Sequence, residues 1–258
     1  MKQKKETVAT KGIRRTETRL ARIIELLEQE YGIPRRSRRP DPLESLIITI
    51  LSQNTNDINR DKAYQGLRER FPSWQEVLNA PEHEIAQAIR VGGLANIKSK
   101  RIKEILASIK REHGEFDLSF LRDLPPEEAE RRLLSYKGVG LKTAKIVLLF
   151  TLGRNVFPVD THIHRLSKRL GFVPENATRE KTHEIMGNLV PPKKMYSFHL
   201  NLITHGRKTC IARKPRCPEC VLNPLCPKIG VFGRPYLDGA LQAPVRLGTG
   251  KRDLRLTE

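Results

Sequence analysis

Four groups of residues in this sequence have types and spacings that could do chemistry. Lys142 opens an almost continuously apolar run that reaches Leu152, and a primary amine there, unlike a guanidinium, can shed its proton and attack an electrophilic carbon to form an imine. Asp160, a lone acid beyond that run, has the charge to steady a developing cation or to assist proton movements. Just ahead of Lys142, Gly138-Val139-Gly140 is too tight for anything but a reversal, and its three backbone N–H groups at a helix N-terminus would suit an anion such as a phosphate. Cys210, Cys217, Cys220 and Cys226 are separated by six, two and five residues. Four thiolates that close can wrap one compact centre, either a tetrahedral zinc or an iron-sulfur cluster.

These residues need elements to position them, and the patterning supplies helices throughout. Pro126 and a run of acids begin a helix with its acidic end first, the arm before the hairpin, and the run from Lys142 to Leu152 is the buried arm after it. Upstream, Leu20, Ile23, Ile24, Leu27 and Tyr31 recur at helical spacing until Gly32. Residues 1–17 read as a basic flexible arm, and IPRRSRRPDP as a basic linker. Asp41-Pro42 is a cap followed by proline at the first helical position, with Leu43, Leu46, Ile47, Ile50 and Leu51 on one face. The polar stretch LSQNTND then separates this helix from another that follows Asp57. Short helical patterns run from Trp74 to Arg90. Gly92-Gly93 break the chain, and Ile97, Ile102, Ile105, Leu106 and Ile109 define the next helix. From Thr161 come THIHRLSKRLG, a segment from Thr178 to Leu189, and another from Lys193 to His205, before a loose tail from residue 230. No alternating strand pattern of any length appears, so the expected fold class is all-α.

The formal net charge is +19 over 258 residues, far beyond what solubility requires, and implies a polyanionic partner. No apolar run approaches the roughly 18 residues of a spanning helix, and no lipidation motif is visible, so a membrane partner is not expected. All four cysteines fall in one segment, which points to a metal site in a reducing compartment rather than to a disulfide framework. Between Lys193 and Lys228 there are eight Lys or Arg and one acid, Glu219. A loop so basic, pinned by a ligated centre, would hold its cations in one geometry for gripping phosphates. The N-terminus lacks the apolar core of a secretory signal, and Glu6 and Glu17 argue against a transit peptide.

GVGLKTA followed by PVDTH resembles the helix-hairpin-helix plus Asp signature of the endonuclease III family of DNA glycosylases. HGRKTCIARKPRCPEC and the last cysteine are similar to the iron-sulfur end of the same family, so the resemblance covers roughly Pro42 to Cys226. One departure is Lys137, where the family usually has Pro. The resemblance implies two helical domains with a DNA cleft between them: a six-helix barrel with the hairpin over 42–157, and a discontinuous iron-sulfur domain over 18–41 and 158–229. It implies a [4Fe-4S] cluster on the four cysteines. It also implies that the LSQNTND segment fills the gap left by a damaged base. The family's usual Gln aligns with Asn54 and Gln53 sits beside it, so either could fill that gap, with Leu94 as the wedge on the opposite strand's side.

By the same resemblance the activity is that of a bifunctional glycosylase and lyase acting on damaged double-stranded DNA, with oxidised pyrimidines the usual substrate. Lys142 would be the amine that attacks the sugar, its pKa lowered by burial beside Lys137 and Lys145, and Asp160 would stabilise the positive sugar. Two other readings remain at this stage. A mismatch-directed glycosylase is opposed by Lys142, because relatives that only remove bases carry a residue without an amine there. A non-catalytic helix-hairpin-helix DNA-binding module would need neither Lys142 and Asp160 nor the cysteines. The protein is expected to act as a monomer, in the cytoplasm with the nucleoid in a prokaryote or in the nucleus of a eukaryote.

Overall fold

The computed structural model describes residues 8–36 and 40–231. No strand occurs among the described residues, and the expected all-α class holds. Helix α1 (Val8–Tyr31) ends where Gly32 takes φ +80° and donates its N–H to the Glu28 carbonyl at 2.9 Å, a left-handed C-terminal stop that glycine adopts without strain. The flexible arm expected over residues 1–17 is corrected from Val8 onward, where the chain is already helical. Thr16 and Thr18 bond back to the carbonyls of Gly12 and Arg14, so their hydroxyls are satisfied inside the helix rather than competing with it. Residues 1–7, and the tail expected from residue 230 beyond Val231, lie outside the described residues.

Helix α2 (Pro42–Leu51) starts as its sequence demands, with the Asp41 carboxylate accepting from the Glu44 amide at 2.9 Å. It is followed by α3 (Asp57–Arg70), α4 (Trp74–Asn79), α5 (Glu82–Ala88), a 3-10 turn over Arg90–Gly92, and α6 (Ala95–His113). Then come α7 (Pro126–Ser135), α8 (Leu141–Ile146), α9 (Thr161–Arg169), α10 (Arg179–Leu189) and α11 (Met195–Lys208). One residue of α6 departs from the sequence reading. Ile97 is 49% exposed, whereas its neighbour Lys98 is 1% exposed.

Two hydrophobic cores form. The first gathers α2 through α8, from Leu43 to Leu152, and the second gathers α1 with the chain from Phe157 to Leu222. Each fully buried Leu or Ile contributes about 1.5–3 kcal/mol relative to exposure, so both cores are large enough to hold their helices in place. The switch between them lies in the segment after Lys142. Helix α8 widens into a π turn over Val147–Thr151, and within it Leu148 packs into the first core and Leu149 into the second. Successive helical side chains point about 100° apart, so a helix running between the two cores can give adjacent residues to each. The Thr151 hydroxyl donates to Ser45 of α2 at 2.5 Å and anchors the end of this turn. Among the described residues no helix is long and apolar enough to cross a membrane.

Candidate active site and cysteine centre

Between α7 and α8 the chain reverses through Gly138, whose φ of +86° favours glycine. A side chain there would also meet Arg101, whose Cδ would lie 3.0 Å from an added Cβ. The expectation that Gly138, Val139 and Gly140 all offer their amides outward is corrected for Val139. Its N–H donates to the Tyr136 carbonyl at 3.0 Å and its side chain is buried in the first core. The apolar side chain draws this residue inward, and closing the turn uses its amide. Gly138 and Gly140 donate to no backbone acceptor among the described residues. Gly140 is the N-cap of α8, so Lys142 sits in the first helical turn, half-buried, with Lys145 one turn on. Lys137 is 75% exposed at its side chain and already paired with Glu104 at 2.8 Å, which balances the charge it was expected to exert on Lys142.

Asp160 is the N-cap of α9 and accepts from the Ile163 amide at 2.8 Å. The extended segment that delivers it is held by two buried histidines. His183 of α10 bonds through Nδ1 to the Phe157 carbonyl at 3.2 Å, and His199 of α11 to the Pro158 carbonyl at 3.0 Å. A carbonyl only accepts, so Nδ1 carries the proton in both rings. Burial drives both pKa values down to about 4. His199 also feels Asp160, which pulls its pKa up, and Lys142, which pushes it down. Lys145 acts in the same way on His183.

The two turns expected to enter the duplex share a geometry. Asn54 has φ +51° and Leu94 φ +50°, both in the left-handed region that residues other than glycine seldom occupy. Leu94 is 46% exposed rather than folded back onto the core. Asn54 is exposed, whereas the half-buried Gln53 accepts from Arg101 Nη1 at 2.7 Å. The start of α3 is tied to α11 by Asp57 and Arg207 at 2.8 Å.

All four cysteines are free thiols, half-buried, and line one cavity behind the end of α9. Arg169 shapes that loop, donating to the carbonyls of Ile211 and Ala212 at 2.8 Å each and to Cys210 Sγ at 3.3 Å. His205 Nε2 lies 3.4 Å from Cys220 Sγ, with its Nδ1 bonded to the Tyr31 hydroxyl at 2.9 Å. Burial pushes the Cys220 thiol up and the Cys226 thiol up to about 11, the other thiols adding to both. Such a donor set ionises only against strong positive charge, as a metal centre provides. Yet among the described residues no group of three or more His, Cys, Asp or Glu converges on a single ion. The four thiols do line one shared cavity.

The family model for HhH-GPD superfamily base excision DNA repair proteins matches residues 47–192. The chain belongs to this superfamily. It is 35% identical over 206 residues to endonuclease III of Thermotoga maritima, covering 79% of this chain and 92% of that protein. Identity is 40% over 189 residues with a protein of Arabidopsis thaliana classed as a DNA glycosylase, covering 73% of this chain but 62% of that longer relative. A solved structure of a trapped endonuclease III–DNA covalent intermediate superposes with a TM-score of 0.71 at 26% identity, over 82% of this chain and 96% of that one.

In this HhH-GPD protein the sequence reading missed Lys98, Arg101, His183 and His199. For Lys98 a signal existed, since Ile102, Ile105 and Ile109 extrapolate back to position 98 rather than to Ile97. Nothing local to the two histidines in α10 and α11 reveals which carbonyl each one meets.

Proposed function

We propose that this chain is a bifunctional DNA glycosylase and lyase that removes oxidised pyrimidines from duplex DNA. The observation that carries the proposal is the placement of Lys142 in the first turn of α8, directly after a hairpin whose Gly138 and Gly140 amides meet no backbone acceptor among the described residues, with Asp160 held as the N-cap of α9. A base inside a duplex is out of reach, so the nucleotide must be rotated out first. Gly138 and Gly140, at the start of α8, serve to hold the phosphate backbone. Asn54 is the better candidate to fill the vacated space because Gln53 is already engaged by Arg101, and Leu94 wedges the other side.

The Lys142 amine then attacks C1′ as the bond from C1′ to the base breaks, and the base leaves with a proton. Asp160 faces the positive charge that builds on the sugar. The sugar ring opens to an imine joining C1′ to Lys142, which acidifies the C2′ hydrogen. Removal of that proton expels the 3′ phosphate, and the strand is cut on that side. Water then releases the lysine. Relatives of known structure lend support, since one was captured as a covalent endonuclease III–DNA intermediate. Cys210, Cys217, Cys220 and Cys226 would hold a [4Fe-4S] cluster, which supplies a rigid, covalently ligated anchor for the basic loop. The direct test is a panel of duplexes, each with one defined lesion, scored for strand cleavage without added alkali. Cleavage at oxidised pyrimidines is expected, and base release from mismatches without cleavage would favour a monofunctional enzyme.

A further inference from the structure

Lys98 is the largest charged side chain sealed inside the first core, 1% exposed, and its ammonium faces no carboxylate among the described residues. A buried ammonium is strongly disfavoured unless its donors are satisfied. Here Nζ donates to the Leu51 carbonyl at 2.7 Å and to the Gly92 carbonyl at 2.8 Å. Leu51 ends α2 and Gly92 ends the 3-10 turn before α6, so the cation faces the negative ends of two helical segments whose last carbonyls lack intrahelical partners. The two carbonyls stand just ahead of the left-handed residues Asn54 and Leu94. Gly92 itself is pressed close, since an added Cβ would lie 3.0 Å from the Ala63 methyl.

One turn along α6, Arg101 bonds Gln53 and lies against Gly138, and a further turn along, Glu104 pairs with Lys137. Residues 98, 101 and 104 share a face at helical spacing. That face therefore touches all three segments assigned to DNA: the turn after α2, the turn before α6, and the hairpin.

We propose that Lys98 and Arg101 are positioning residues that fix the spacing of the two void-filling turns and the hairpin, so that nucleotide extrusion from a duplex depends on them while the covalent chemistry does not. A lysine suits the first position because its flexible stem reaches two carbonyls from different segments, which a planar guanidinium could not meet in so tight a space. The inference rests on the DNA-repair reading above.

The test compares two substrates under single-turnover conditions with the full chain: a duplex carrying one oxidised pyrimidine beside 2-aminopurine, and a single strand with a preformed abasic site, which needs no extrusion. Lys98→Met keeps the volume and removes the donors. It should slow cleavage of the duplex at least tenfold and flatten the 2-aminopurine signal, with borohydride trapping on the single strand within twofold of wild type. Arg101→Met, on a half-buried side chain at the helix surface, should show the same split in milder form, and it decides the matter if Lys98→Met fails to fold. Equal losses on both substrates, or no loss on the duplex, would overturn the proposal. Wild-type protein inactive on both substrates would instead overturn the DNA-repair reading itself.

Discussion

The Nδ1 of His199 lies 3.0 Å from the carbonyl oxygen of Pro158, two residues ahead of Asp160. This bond, with its counterpart from His183 to Phe157, means that the acid's position is set by rings that must stay neutral to sit in the second core.

A pH prediction follows from the sign of that shift. The folded pKa of His199 is depressed to about 4, against about 6.5 in the unfolded chain, so the unfolded state takes up the proton first and stability is lost as pH falls from 6.5 toward 4. His199→Asn keeps a donor near the Nδ1 position and removes the titration. Between pH 7 and pH 5 the wild type should lose about 2 kcal/mol more stability than this variant. Urea unfolding at several pH values measures the difference, and parallel slopes would contradict it.

Asp160 has two roles that separate by substitution. Asn is as good an N-cap as Asp, so Asp160→Asn should keep the bond to the Ile163 amide and the melting temperature while lowering the rate of base release by about 10²-fold. Asp160→Ala should show the same loss of rate and, in addition, about 1 kcal/mol of lost stability. If both variants melted alike and kept their rate, Asp160 would be neither cap nor catalyst.

The cysteine centre predicts colour and composition. Purified protein should be brown and contain about four iron and four sulfide per chain, as a four-cysteine cubane requires. Stoichiometric zinc without iron would show that the four thiols hold a different centre.

Gly138→Ala tests the hairpin. At φ +86° with Arg101 3.0 Å away, an added methyl costs about 1–2 kcal/mol in backbone conformation alone and forces Arg101 aside. Affinity for undamaged duplex should fall, and so should the melting temperature; an unchanged variant would mean that the turn adapts freely.

The sequence announced those features that are settled locally. Asp41 caps α2 because a short oxygen-bearing side chain before an apolar run has an amide to accept from three residues on. Gly32 and Gly138 mark left-handed turns for the same local reason. What stayed hidden depends on distant partners. The apolar stripe of α6 located a buried face but could not show that Lys98 would occupy it, since its partner carbonyl on Leu51 is 47 residues away. Val139 between two glycines looked like an exposed amide until packing drew its side chain inward. His183 and His199 carry no spacing that announces the segment they hold, and the continuous apolar run from Lys142 to Leu152 does not show that Leu148 and Leu149 belong to different cores.

The central claim is that Lys142 is the nucleophile, and borohydride trapping tests it most directly. With a duplex bearing an oxidised pyrimidine, wild-type protein reduced during turnover should become covalently joined to the DNA. Lys142→Ala should lose the adduct and nearly all strand cleavage while still binding, because the hairpin amides and the basic loop remain. Full trapping by Lys142→Ala would assign the chemistry to another amine and contradict the account.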